Sequence, residues 1–172
     1  MKTRTVDRAL IQQFIDAAVR DHSHARHLLE LHPELLEARY LLGETVLHFL
    51  AVENFAEGVR FLVQAGAAVD ATNEFGDTPL IDVAVLGNDA VAEVLLQFGA
   101  NANAQSDTKD NVLDAAVRSS NARLVDLLLT AGARPDYETD LGFTILDALP
   151  TKEPKRTAML DVLRRHGVSV PT

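Results

Sequence analysis

The chain has 172 residues, 47% of them apolar but only 5% aromatic, with no Cys and no Trp. The lack of cysteine excludes disulfides, thiolate catalysis and cysteine-ligated zinc together, and a core of Leu, Val, Ile and Ala suits layers of short helices better than a β-sandwich. The net charge of −9 is concentrated in residues 39–104, where two basic residues stand against nine acidic ones. Such a belt repels phosphate backbones, argues against nucleic-acid binding and favours encounter with a basic partner; the plainer alternative is a solvated surface that confers solubility.

In chain order, the N-terminal stretch MKTRTVDRALIQQFIDAAV carries positive charge, but Arg8, Gln12, Gln13 and Asp16 interrupt its apolar residues. It therefore reads as neither a signal peptide nor a membrane span, and the protein as cytoplasmic, with no membrane partner. Leu10, Ile11, Phe14, Ile15, Ala18 and Val19 predict a first helix over 6–20, followed by a second at about 23–31 that His32-Pro33 stops. His22, His24 and His27 fall where the chain is expected to turn between these helices. A metal site is the sharp reading of that H-x-H-x-x-H run. A solvated loop is the plainer one, since no acidic or Cys ligand stands close by.

From there the chain repeats with a period of 33. Gly43, Thr45, Leu47, Leu62 and Gly66 recur as Gly76, Thr78, Leu80, Leu95 and Gly99. Leu113, Leu128 and Gly132 continue the register, as do Gly142, Thr144 and Leu146, and Leu29 of LLELHPELLEAR stands 33 before Leu62. A fixed period of this kind indicates stacked units, with degenerate ones at the ends. Thr45, Thr78, Asn111 and Thr144 are placed as N-caps, and Pro79 sits at a first helical position. Asn111-x-x-Asp114 and Thr144-x-x-Asp147 have the spacing of a capping box. Gly87 ends a first helix where Asn54 and Ser120 stand in neighbouring units, and Gly66, Gly99, Gly132 and Gly167 end the second helices.

The stretch GDTPLIDVAVLGNDAVAEVLLQFGANANA resembles an ankyrin repeat, and GETVLHFLAVEN and GFTILDAL resemble it more loosely. The resemblance implies an all-α solenoid of about five helix-turn-helix units joined by β-turn fingers, over about 6–38, 39–71, 72–104, 105–137 and 138–170, with the first and last as degenerate caps. Three departures carry expectations. Lys109 replaces a turn glycine, which predicts a distorted or mobile hairpin. The motif's histidine survives only as His48. Two extra residues between Gly132 and Gly167, with Pro150 and Pro154 among them, predict a first helix of the fifth unit that ends early.

No phosphate loop, nucleophile elbow or Ser/His/Asp set at motif spacing is present, so neither catalysis nor a cofactor is expected. Asp114 and Asp147 invite a paired-carboxylate reading, but capping already accounts for both. The unusual feature is apolar residues on the fingers: Leu41 and Leu42 before Gly43, Phe75 before Gly76, and Leu141 and Phe143 around Gly142. The family pattern places these on the concave face with Val85 and Leu86, Leu86 being expected to be partly buried in the stack. The primary expectation is a non-catalytic protein-binding module using Leu42, Glu44, Glu74, Phe75, Asp77, Val85, Leu86, Asp110 and Phe143. A sharper form, from charge alone, is an inhibitor or immunity-type partner of a basic protein. The rivals are an enzyme or metal-dependent protein using His22, His24 and His27, and self-association of an otherwise monomeric chain through the apolar row.

Overall fold

The computed structural model describes residues 6–109, 111–137, 142 and 144–170. Among them lie nine α-helices: α1 Arg8–Arg20, α2 His22–Leu31, α3 Val46–Val52, α4 Ala56–Gln64, α5 Pro79–Leu86, α6 Asp89–Gln97, α7 Val112–Arg118, α8 Ala122–Thr130 and α9 Lys155–Arg165. The period of 33 becomes stacking. An inner layer runs α3, α5, α7 and an outer layer α4, α6, α8, α9, each helix packed on the next. The period turns the same apolar side chain toward each neighbour, so Leu47 and Leu80 of the inner layer and Leu62, Leu95 and Leu128 of the outer layer are buried. Each such burial contributes about 1.5–3 kcal/mol.

Local chemistry sets where these helices start and stop. Thr45, Thr78 and Asn111 accept the backbone N–H of His48, Ile81 and Asp114. At the other end, Gly99 takes φ 85. Its N–H donates to the Leu96 carbonyl and the Ala100 N–H to the Leu95 carbonyl, which satisfies the last orphan acceptors of α6. A Cβ at Gly99 would meet nothing within 4 Å, so backbone conformation alone requires the glycine. The same pair of bonds closes α4, α8 and α9. Asx side chains then stitch unit to unit: Asn121 Nδ2 donates to the Gly87 carbonyl at 2.8 Å, and Asn103 Oδ1 accepts from the Arg134 N–H at 2.8 Å.

Four local expectations change. The fifth unit keeps only its second helix among the described residues. After Thr144 the chain makes short turns, Asp147 N–H to Thr144 carbonyl and Leu149 N–H to Leu146 carbonyl, and Pro150 follows before an α-helical ladder can form. The reciprocal capping box of α3 uses His48 rather than an acid, while the Asp114 carboxylate is taken by the Tyr137 hydroxyl and by Arg118 at 2.9 Å. Lys109 adopts φ 68 and donates its N–H to the Ser106 carbonyl, so the described part of that finger keeps the turn. The first unit leaves the register: α1 packs on both α3 and α4, Leu28 is buried and Leu29 only partly so. The close approach of α1 depends on Gly58 of α4. A Cβ there would lie 3.2 Å from the Ala18 carbonyl oxygen and 2.9 Å from Leu50 Cδ1.

Candidate functional site

The fingers are held as a ladder. In the first, the Tyr40 N–H donates to the Glu44 carbonyl at 2.7 Å; in the second, the Asn73 N–H donates to the Asp77 carbonyl at 3.0 Å. Asn73 Oδ1 also accepts from the N–H groups of Phe75 and Asp77, at 2.9 and 3.0 Å, an Asx turn that shapes the tip. Neighbouring fingers are joined by Glu74 N–H to Leu42 carbonyl and by Asp107 N–H to Phe75 carbonyl. Arg39 Nη1 donates to the carbonyls of Gly43 and Thr72, and His48 Nε2 meets the Asp77 carbonyl at 3.1 Å. The Phe75 backbone is therefore fixed on both sides while the residue is 49% exposed.

The other candidate residues lie on the fingers and on α5. Leu42 is 54% exposed on the first finger, and Val85 and Leu86 of α5 are 60% and 53% exposed. Leu86 thus stands as open as Phe75, which corrects the expectation of partial burial: at the last turn of α5 it has passed beyond the inner-layer contact. Glu74 is exposed; Glu44 and Asp77 are half-buried. Asp110, Leu141 and Phe143 lie outside the described residues. The sequence pattern does not single out Val52 or Phe55, and it marks Asp82 only as one acid of the belt. Val52 stands 33 before Val85 and is also exposed, so the period itself carried that signal. Asp82 precedes Val85 and Leu86 by three and four residues and so shares their helix face.

The acidic belt divides between two faces. On the outer layer, Arg123 pairs with Asp89 at 3.2 Å and Glu93 at 2.8 Å, and Glu57 lies 3.8 Å from Arg60. On the finger side, burial pushes the Glu44 carboxyl up. Burial, then the charges of Asp77 and Glu44, push Asp82 up to about 7. Burial pushes His48 down, so it is uncharged at neutral pH. The face is thus apolar, acidic and built on backbone hydrogen bonds. An apolar cavity of about 420 Å³, lined by Tyr137, Ile145, Leu146 and Val168, includes none of these residues.

The histidines do not converge. His22, His24 and His27 lie on α2 rather than in a turn, because Asp21 caps that helix on the N–H groups of Ser23 and His24. The His22 ring stacks on Phe61 at 4.6 Å and its Nε2 meets the Ala18 carbonyl, His24 meets Gln13, and His27 faces Glu30. Among the described residues no group of three His, Asp or Glu side chains is placed to hold a metal. Asp147 accepts from the N–H and hydroxyl of Thr144, which hold its carboxyl below the usual range. Asp114 is engaged elsewhere, so the two do not form an acid–base pair. No helix among the described residues is long and apolar enough to cross a membrane.

The family model described as "Ankyrin repeats (3 copies)" matches residues 14–106 and again residues 47–139. Comparison with curated proteins gives no match.

Proposed function

The chain belongs to the ankyrin-repeat family, whose repeats are generally protein–protein interaction modules and typically non-catalytic, and from that premise we propose that it is a non-catalytic module that binds a partner protein on its finger and inner-helix face. The observation that carries this reading is Phe75: a large apolar ring half open to solvent, on a backbone held by Asn73 and Asp107, with Glu74 and Asp77 beside it. A pre-ordered aromatic ringed by polar groups has the composition of an interface hot spot and costs little entropy to engage. The acidic balance of the finger side favours a basic partner, and an inhibitor- or immunity-type role that masks a basic protein fits that charge.

The test is affinity capture from the native source with wild-type, Phe75→Ala and Glu93→Ala proteins as bait, read by quantitative mass spectrometry. Phe75→Ala is expected to weaken capture of the specific partner by about 2 kcal/mol or more with little change in melting temperature, and Glu93→Ala to retain it. Leu86→Ala, given its exposure, is expected to weaken capture too. A partner retained equally by Phe75→Ala and lost with Glu93→Ala would place binding on the outer layer and refute the assignment.

A further inference from the structure

Asp82 departs from the repeat in a way the fold does not require. At its register α3 carries Phe49 and α7 carries Ala115, both apolar. Capping does not explain it, because Thr78 already caps α5. Its Oδ2 is shut off from solvent and meets no hydrogen-bond partner, and among the described residues it is the one buried side-chain oxygen or nitrogen in that state. An ionised carboxylate so placed is costly to hold unpaired.

The surrounding charges do not relieve it. Asp77 and Glu44 both oppose its ionisation, adding to burial, and together they place its titration at about 7. On α3, His48 is uncharged and turned to the Asp77 carbonyl, and Glu53 at the end of that helix is acidic. On α6, Asp89 and Glu93 face Arg123. On α7, Arg118 is paired with Asp114. At the base of the first finger, the Arg39 guanidinium donates to the carbonyls of Gly43 and Thr72. None of these cations forms an ion pair with Asp82. Meanwhile Val85 and Leu86, on the same face of α5, are exposed. A carboxyl flanked by open apolar side chains and by two further acids matches an amphipathic segment of opposite charge.

We propose that Asp82 is the seat for one cationic side chain, arginine or lysine, of a partner segment whose apolar groups lie on Val85, Leu86 and Phe75, and that seating this cation drives a proton from the carboxyl into solvent. The inference rests on the protein-binding reading above and supplies the chemistry of the partner and its pH response. The step is a proton exchange alone. The proton leaves the Asp82 carboxyl for the buffer, the cation keeps its own protons, and no covalent bond to carbon changes. Well below the titration point the affinity then rises by about tenfold for each pH unit, and it levels off above that point.

The probe is a short amphipathic peptide with one arginine among leucines, paired with the same peptide carrying citrulline, which keeps the shape and removes the charge. Calorimetry at about pH 6 in two buffers of different ionisation heat counts the protons released. The arginine peptide is expected to release close to one proton from the wild type and to bind about fivefold tighter at pH 7 than at pH 6, since about half of the carboxyl is ionised at the higher pH and about a tenth at the lower. Asp82→Asn is expected to bind it with no release and no pH slope, and the citrulline peptide to show neither with the wild type. Equal binding of the two peptides to the wild type with no proton released would overturn the inference and leave the protein-binding reading standing. So would failure of both peptides to bind a wild-type protein whose captured partner still depends on Phe75. Because the citrulline arm uses the wild type alone, the test survives a misfolded Asp82→Asn.

Discussion

At Asp82 one side chain links burial, stability and binding. Its carboxyl titrates at about 7 in the fold against an ordinary 3.8, so the folded state holds the proton more tightly than the unfolded chain. Below about pH 4 the group is protonated in both states and costs nothing. Between about pH 4 and 7 stability falls as pH rises, and above that the penalty is constant. His48 acts in the opposite sense: its pKa is lowered by burial, so its contribution is present at neutral pH and lost as pH falls below the ordinary histidine value. The two overlap in the wild type, and a difference measurement separates them. Asp82→Asn is expected to be more stable than wild type at pH 8 and to lose that advantage by about pH 4, in melting curves taken across the range. A gap that stays constant with pH would mean that Asp82 is ionised throughout. None of this was legible in the sequence, where Asp82 is one acid of nine in a belt. Its environment depends on Glu44, 38 positions earlier, and on a neighbouring finger.

At the scale of the element, the period carried most of the fold. The caps at Thr45, Thr78 and Asn111 and the glycine closures are local, and local chemistry can be read residue by residue. Leu95, fully buried between stacked units, tests the register: Leu95→Ala is expected to cost about 2–5 kcal/mol in chemical denaturation, and a loss under half a kilocalorie would contradict it. The ends were less legible, because there the partner of each helix is not another copy. Gly58 shows this. Its counterpart in the next unit is Val91, and Val is what the repeat would suggest. Yet α1 crosses α4 at Gly58 with the Ala18 carbonyl against it. Gly58→Val is therefore expected to destabilise by about 1–3 kcal/mol through overpacking, although it makes the unit more regular. A neutral or stabilised variant would show that α1 is loosely docked. The finger residues were legible as exposed apolar positions and the period pointed from Val85 to Val52, but the openness of Leu86 needed the packing of the inner layer.

Across the whole molecule the acidic charge falls in two places. On the outer layer it is partly neutralised by Arg123 and Arg60 in exposed pairs of little energetic weight. The fingers and α5 carry Glu44, Glu74, Asp77 and Asp82 together with exposed Leu42, Phe75, Val85 and Leu86. Association with a basic partner is accordingly expected to slow steeply as salt rises past physiological strength, measured by stopped-flow mixing, whereas a rate indifferent to salt would leave the belt as a solubility device. The face that meets the partner is the central point. Amide hydrogen exchange of the protein alone and with its captured partner measures this most directly. Protection on binding is expected across the tips of the first two fingers, around Leu42–Glu44 and Glu74–Asp77, and in the last turn of α5 through Leu86. Protection confined to α4, α6 and α8, with the fingers exchanging as in the free protein, would contradict it.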